Sequence, residues 1–153
     1  MKILLIAILF LPLITLGQKN KSVKAKTQII NQVFNSDSIL ILIKTSGCFS
    51  GSAYTYKFIK KQDSYLLTYY NSLTIAKTNN TKDSLNYHTK NISVDTFNEI
   101  EKLCLRGINL PDGLCTTRKK FIIKDKSNET FFNDDRCSDD DDSLTLFQKL
   151  IDK

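Results

Sequence analysis

Hydrophobic and polar residues alternate with short periods through the first half of the chain, and this pattern predicts strands. Residues 38–44 (SILILIK) form a continuous apolar run, which is typical of a buried strand. Residues 46–52 contain two glycines and predict a turn. Residues 53–60 place aromatic side chains at every second position, as expected of a half-buried strand. Further strand segments are predicted over residues 65–70, 72–77 and 85–89.

Two amphipathic helices are predicted in the second half. Over residues 94–106 apolar side chains recur at helical spacing, and Gly107 follows where a left-handed C-cap is expected. Ser93 or Asp95 can cap the N-terminus of this helix. Its predicted buried stripe consists of Val94, Phe97, Ile100, Leu103 and Cys104. Residues 143–151 (SLTLFQKLI) predict a second helix, which follows a run of carboxylates that favour a helix N-terminus.

Between the two helices the pattern predicts a β-hairpin, in which residues 115–124 and 129–133 flank a turn. The order of strands, helix, hairpin and helix indicates an α+β fold. We predict a disulfide-stabilised antiparallel sheet of about five to six strands with two helices packed on one face. This single domain spans residues 27–153, and residues 27–34 within it fit a helix or a strand. The polar residues 18–26 are expected to form a flexible basic lead-in.

The first 17 residues have the plan of a secretory signal peptide. Lys2 precedes an apolar run, and the small residues Thr15 and Gly17 precede the expected cleavage site. A membrane-spanning helix needs about 20 apolar residues, whereas only 14 positions lie between Ile3 and Leu16 inclusive. We therefore predict a secreted or periplasmic protein that has no stable membrane span after the signal peptide is cleaved.

Charge is unevenly distributed along the 153 residues of the chain. Residues 18–133 carry 18 basic and 9 acidic groups, a net charge of +9, whereas residues 134–153 carry 3 and 7, a net charge of −4. A basic body of this kind attracts anionic envelope polymers, lipid head groups or an acidic protein. Nucleic acid is not an expected partner, because export separates the two and no arginine-aromatic recognition motif occurs. The sequence leaves the oligomeric state open.

The chain contains four cysteines, which in an exported protein predict two disulfide bonds. Cys115 and Cys137 lie symmetrically about residue 126, and this favours a bridge across the hairpin. The remaining pair is then Cys48 with Cys104. The alternative pairing joins Cys104 to Cys115 and Cys48 to Cys137. A reactive thiol is disfavoured, because no CxxC motif occurs and the chain has a single histidine.

Signatures of catalysis are absent from the sequence. His88 is the only histidine, and neither GxSxG nor HExxH occurs, so we expect no cofactor, no metal and no enzymatic activity. A small hydrolase that uses carboxylates or His88 stays open as an alternative. The six aspartates between residues 134 and 142 could bind Ca²⁺, but their spacing is not that of an EF-hand. A solvated acidic loop that caps the last helix explains them without an ion.

Two groups of residues are candidates for a binding surface. The strand region is rich in tyrosine, whose large ring and polar tip suit protein and glycan recognition, and the predicted binding residues are Tyr54, Tyr56 and Tyr69. Alternatively, these rings face the helices as part of the core. The densest basic group within an element is Arg118, Lys119 and Lys120. Such charges also commonly protect a strand edge from pairing.

The stretch SGCFSGSAYTYKFIKK, followed by a helix and a terminal amphipathic helix, resembles small exported bacterial domains of unknown function. The resemblance covers residues 38–152 and implies export and an α+β fold, and it assigns no site. The sequence as a whole predicts a non-enzymatic domain of the inhibitor or immunity type. Its expected partner is an extracytoplasmic protein or an anionic envelope polymer, and a structural or adhesion role of the basic body is a further alternative.

Overall fold

The computed structural model of the chain describes residues 21–47, 51–74, 87–110, 115–136 and 142–152. These ranges form an α+β fold with three helices and six strands. The elements are α1 (21–34), β1 (Ser38–Ser46), β2 (Gly51–Lys60), β3 (Ser64–Thr74), β4 (His88–Ser93), α2 (Val94–Gly107), β5 (Arg118–Lys124), β6 (Glu129–Asp134) and α3 (Ser143–Ile151).

The six strands form one antiparallel sheet in the order β4-β3-β2-β1-β5-β6. Strands β1 to β4 follow one another as a meander, and the β5–β6 hairpin extends the sheet on the other side of β1. The segments predicted over residues 65–70 and 72–77 join in the single strand β3 as far as Thr74. Strand β4 begins at His88, near the end of the segment predicted at residues 85–89, and leads directly into α2.

Strand β1 lies inside the sheet and is buried on one face only. Ile39, Ile41 and Ile43 are fully buried, whereas Leu40 and Leu42 lie on the opposite face and are half-buried. The apolar run that predicts a buried strand therefore has two different environments, because successive side chains of a strand point to opposite faces.

All three helices cover the same face of the sheet. Phe97 of α2 contacts Phe58 of β2, with ring centroids 5.5 Å apart, and also Phe34 of α1, at 5.2 Å. Phe147 of α3 contacts Phe121 of β5 at 6.4 Å. Edge-to-face and tilted ring contacts of this kind add to the stabilisation from buried area. The sequence predicted two helices on this face, and α1 is the third.

Helix α1 resolves the ambiguity of residues 27–34 and corrects the prediction for the residues before them. Residues 21–26, expected to belong to a flexible lead-in, form the first turns of the helix. Its buried face consists of Ile30, Val33 and Phe34, and Val23, two turns before Ile30, is partly buried. The helical spacing was missed because four lysines interrupt the apolar positions between residues 18 and 26.

Helix α2 confirms the most regular pattern in the sequence, with two corrections. The Ser93 hydroxyl accepts a hydrogen bond from the Thr96 N–H at 3.1 Å and caps the helix as predicted. Val94 is 42% exposed and does not belong to the buried stripe. Gly107 is the last helical residue rather than a left-handed cap, and a Cβ there would lie 2.3 Å from Phe132 Cε2. This glycine therefore allows α2 to approach β6 closely.

The predicted β5–β6 hairpin is present. Lys124 pairs with Glu129, and the Asp125 carboxylate closes the turn by accepting hydrogen bonds from the N–H groups of Ser127 and Asn128 at 2.7 and 2.6 Å. The Asp125 N–H also donates a backbone hydrogen bond to the Asn128 carbonyl at 3.0 Å, so the side-chain contacts of this Asx turn add to backbone pairing. Aspartate and asparagine in the sequence DKSN were thus sufficient to place this turn.

No disulfide bond is present among the described residues, and the predicted disulfide stabilisation has no support in the structure. Cys104 is a buried free thiol, and it is not joined to Cys115 as the alternative pairing required. Cys48 and Cys137 lie outside the described residues. The described hairpin register runs from Lys119 opposite Asp134 to Lys124 opposite Glu129, so it does not reach either cysteine of the predicted Cys115–Cys137 bridge. That bridge stays a prediction, because Cys137 is not described.

The predicted signal peptide and residues 18–20 also lie outside the described residues. Within the part of the chain that the structure describes, no helix is both long and apolar enough to cross a membrane.

Candidate functional site

A cleft of about 560 Å³ opens where β2, β3 and β4 meet the C-terminal end of α3. This volume lies within the range of small-molecule sites in proteins, roughly 300–1,000 Å³. The cleft contains all three predicted binding tyrosines and the only histidine. It is lined by Tyr54, Tyr56, Tyr69, Tyr70, Asn71, His88, Gln148, Ile151 and Asp152.

Strand register explains why the aromatic side chains meet. Tyr56 of β2 is paired with Tyr69 of β3, and Tyr69 is paired with His88 of β4. Directly opposite residues of neighbouring strands have their Cβ atoms about 5 Å apart and share one face of the sheet. The three rings therefore form a row across the sheet, perpendicular to the strands, and Tyr54 lies beside it, two residues from Tyr56 on the same face.

The Tyr69 ring is stacked between the other two rings of this row. Its centroid lies 5.9 Å from that of Tyr56, with 19° between the ring planes, and 5.2 Å from that of His88, with 25°. Tyr69 is half-buried and His88 is exposed, whereas Tyr56 is only 4% exposed. The row thus runs from a fixed ring at the base of the cleft to an accessible ring at its edge.

Tyr56 is held in place by α3. Its ring contacts Phe147, with centroids 4.7 Å apart. Burial raises the pKa of the Tyr56 hydroxyl, Tyr54 and Asp152 raise it further, and a hydrogen bond with Gln148 acts in the opposite direction. Tyr56 therefore keeps its proton at neutral pH, and the base of the cleft presents a neutral hydroxyl group.

Polar groups of α3 complete the cleft opposite the tyrosines. Gln148, together with Asp152 at the C-cap of the helix, contributes an amide and a carboxylate. The Lys90 ammonium group of β4 donates a hydrogen bond to the Ile151 carbonyl and fixes this end of the helix over the sheet. The arrangement combines flat aromatic surface with a few directed polar groups, which is typical of binding sites.

His88 has no hydrogen bond to a carboxylate among the described residues, although Asp152 lines the same cleft. Its ring is positioned by stacking on Tyr69 instead. A general base of the His-Asp type needs a carboxylate within hydrogen-bond reach of the imidazole. In the described geometry His88 and Asp152 line the same cleft but do not form this hydrogen bond.

The predicted basic residues do not belong to the cleft. They lie on β5, which is separated from β2 by β1 in the sheet. The prediction that Lys119 is a binding residue is corrected by the structure. Its side chain is 9% exposed and its Nζ lies 2.6 Å from Asp142 Oδ2, so it is not available to a partner. Arg118 is exposed, and its Nε lies 3.3 Å from Asp135 Oδ1. The Lys120 ammonium group lies 4.3 Å from the centre of the Phe131 ring.

The acidic stretch caps the last helix, as the sequence predicted, but two of its described carboxylates are not solvated. Asp134 and Asp142 are buried, and both bind the N-terminus of α3. Asp134 accepts a hydrogen bond from the Ser143 N–H at 2.7 Å, and Asp142 caps the helix by accepting one from the Thr145 N–H at 2.8 Å. These carboxylates therefore attach α3 to the hairpin.

The Ca²⁺ hypothesis depends on Asp139, Asp140 and Asp141, which lie outside the described residues. Within the described ranges, no group of three or more metal-ligating side chains occurs. The two buried carboxylates that are described already have protein partners.

Sequence reasoning found the tyrosines of the cleft and missed its other polar groups. Asn71 and Gln148 have no signature in the sequence, since single amides occur in most elements. The sequence also gives no sign that His88 lies beside these rings. A register hypothesis that paired β2 with β3 and β3 with β4 would have placed it beside Tyr69.

No protein-family model matches this chain, and no curated protein matches it significantly. Its function is therefore inferred from the geometry of the described residues.

Proposed function

We propose that this protein is an exported, non-enzymatic domain of the inhibitor or immunity type, which binds an extracytoplasmic protein through the tyrosine cleft. The observation that carries the proposal is the row of Tyr56, Tyr69 and His88, stacked across three strands and open at one end. The export part of the proposal depends on the predicted signal peptide of residues 1–17.

Tyrosine is the residue type that most often supplies such a surface. It offers a large contact area with few rotatable bonds, and its hydroxyl group can pair with a polar partner. In the cleft the rings are held by neighbouring strands and by Phe147, so little conformational entropy is lost when a partner binds. The cleft is large enough for a protruding side chain or a tight turn of the partner.

Affinity capture from envelope and secreted extracts of the source cells tests this proposal. We expect the wild-type protein to retain a specific partner and Tyr69→Ala to bind it at least tenfold more weakly, since a central tyrosine of an interface contributes about 2 kcal/mol or more. Tyr87→Ala is the matched control, because Tyr87 is 61% exposed and does not line the cleft. Equal capture by Tyr69→Ala and wild type, with both folded by circular dichroism, contradicts the proposal.

A small hydrolase is the second candidate, because His88 and Asp152 line the same cleft. In that mechanism His88 activates a water molecule and Asp152 orients the imidazole. Hydrolysis of a panel of ester, amide and glycoside substrates that is lost in His88→Gln and also in Asp152→Asn would establish it. If the wild-type protein hydrolyses none of these substrates, the binding function is favoured. The same holds if both variants hydrolyse them as well as the wild type does.

A further inference from the structure

The face of the sheet opposite the helices is uncovered in the described structure. We call it the open sheet face; its central part consists of Leu40, Leu42 and Lys44 of β1, Lys57 of β2, and Lys120 and Lys124 of β5. Lys44 and Lys57 are exposed, and the other four are partly exposed. It is the reverse side of the sheet from Ile41, Tyr56 and the helical layer, so it is a different surface from the base of the tyrosine cleft.

Cations on the open sheet face lie next to one another across the strands. Lys44 is paired directly with Lys120, and Leu40 lies between Lys57 on one side and Lys124 on the other. Like charges at directly opposite positions destabilise a sheet. Among the described residues no carboxylate forms an ion pair with Lys44, Lys57 or Lys120, and Lys124 has only Glu129, at 4.0 Å. An anionic surface placed against this face would offset the repulsion between these lysines.

The lysines are interspersed with apolar surface. Ile59, Leu66 and Ile122 on the same face are only partly buried. Phe131 on β6 is 43% exposed, and two ammonium groups lie over its ring, that of Lys120 at 4.3 Å and that of Lys26 at 4.8 Å. An exposed aromatic ring flanked by lysines is typical of residues that insert between lipid head groups while the cations bind phosphates.

We infer that the open sheet face docks on the head-group region of a bilayer that contains anionic lipid. The cations of this surface match the phosphate groups of the lipid head groups, and its aliphatic side chains match the acyl chains beneath them. A second copy of this chain is a poor occupant, since a two-fold contact would bring the cationic open sheet faces of the two copies together. Docking in this orientation directs the helical layer, with the cleft beside α3, away from the lipid.

Vesicle sedimentation tests this inference. The protein is produced from its full sequence and mixed with vesicles of phosphatidylcholine, alone or together with phosphatidylglycerol, over a series of salt concentrations. We expect binding to the mixed vesicles only, with a partition coefficient that falls as salt rises, because electrostatic attraction to a charged surface is screened. Equal binding to both kinds of vesicle, or no binding to either, overturns the inference.

Two double variants with the same loss of charge locate the surface. Lys44→Gln with Lys57→Gln removes two cations of the open sheet face, and we expect a roughly 30-fold lower partition coefficient. Lys102→Gln with Lys149→Gln is the matched control, because both lysines are exposed on helices of the opposite face. Equal loss of binding in the two double variants overturns the inference, since net charge alone would then explain it.

Phe131→Ser separates the apolar contribution from the electrostatic one. We expect it to weaken vesicle binding and to leave the salt dependence unchanged, with folding verified by its thermal unfolding curve. Binding of the wild-type protein to soluble polyglutamate as strong as its binding to the mixed vesicles identifies an acidic polymer as the partner and overturns the lipid assignment. Tyr69→Ala is expected to bind vesicles like the wild type, so that failure of the cleft proposal and failure of this inference are distinguishable.

Discussion

Lys119 and Asp142 form a buried ion pair between β5 and the first residue before α3, with Lys119 Nζ 2.6 Å from Asp142 Oδ2. Only 9% and 4% of the two side chains are exposed. Asp142 also caps α3 through the Thr145 N–H. One carboxylate thus neutralises a buried lysine and begins the helix that carries Phe147 into the core, so the cleft at the other end of α3 depends on this contact.

Removing one partner of this pair is expected to destabilise the fold strongly. Lys119→Ala leaves the Asp142 charge buried and unpaired, which costs about 3–5 kcal/mol. Lys119→Met with Asp142→Asn keeps similar volumes and a capping side chain, and we expect it to recover much of the loss. Urea unfolding of Lys119→Met, of Asp142→Asn and of the double variant measures the coupling free energy of the pair.

The surface pair of Lys102 and Glu99 is the control for this experiment, because its 2.8 Å distance is similar and its side chains are 64% and 48% exposed. Its removal is expected to change the free energy of unfolding far less, since water screens exposed pairs. A Lys119→Ala variant as stable as Lys102→Ala would show that the buried pair does not hold α3.

Gly107→Ala is expected to destabilise the protein even though alanine is the better helix former. A Cβ at this position would lie 2.3 Å from the Phe132 ring, which is itself stacked on Phe121 with centroids 4.6 Å apart. Overpacking of this kind costs about 1–3 kcal/mol, more than the gain of about 1 kcal/mol in helix propensity. Thermal unfolding measures the difference, and Asn98→Ala on the exposed face of the same helix controls for propensity.

A smaller side chain at position 132 tests whether the Phe132 ring is what destabilises the Gly107→Ala variant. Gly107→Ala combined with Phe132→Leu is expected to be less destabilised than the sum of the two single variants, because the added methyl group then has room. Strict additivity would mean that the Phe132 ring is not what excludes a Cβ at Gly107.

Stability is expected to fall in acid through Asp134. Burial by itself raises the pKa of this carboxyl, but hydrogen bonds from Arg136 and from Ser143 outweigh it and hold the pKa well below its usual range. A lowered pKa in the folded state stabilises the protein above the unfolded-state value of about 3.9, and this stabilisation is lost as the pH falls through that value toward the folded-state pKa.

Urea unfolding at a series of pH values measures this contribution. Asp134→Asn is expected to be less stable than the wild type at neutral pH and to show a flatter decline below about pH 5. Asp63→Asn, in the exposed turn between β2 and β3, is the control and is expected to retain the wild-type pH profile. An unchanged acid profile in Asp134→Asn would assign the acid sensitivity to other carboxylates.

The Cys104 thiol is expected to resist alkylation in the folded protein and to react once the chain is unfolded, with no reducing agent present. Burial raises its pKa, as does the nearby Glu101, so little reactive thiolate exists in the native state. Mass spectrometry of peptides alkylated before and after unfolding in guanidinium measures this. A peptide in which Cys104 is cross-linked to Cys48 would instead restore the pairing predicted from the sequence.

Local pattern was enough to predict α2, α3 and the β5–β6 hairpin. In each, the signal lies within one element or one turn. The signals are the cap at Ser93 and the apolar stripe of α2, the apolar stripe of α3 that contains Phe147, and the Asx turn at Asp125. These features depend on residues a few positions apart, so the sequence pattern shows them without knowledge of the tertiary fold. The tyrosines of the cleft were predictable for the same reason, since their residue type and strand alternation are local.

Long-range contacts decided the rest. The sequence predicts that Lys119 is one of three adjacent surface cations. In the structure it lies on the helix-covered face and pairs with Asp142, 23 residues away. Tyr69 meets His88 only because β3 pairs with β4 in one particular register. The sequence by itself determined α2, α3, the β5–β6 hairpin and the strand segments, but not α1, whose apolar positions are interrupted by lysines. Only the tertiary structure decided which charges are buried and which rings share a cleft, because burial and register depend on distant partners.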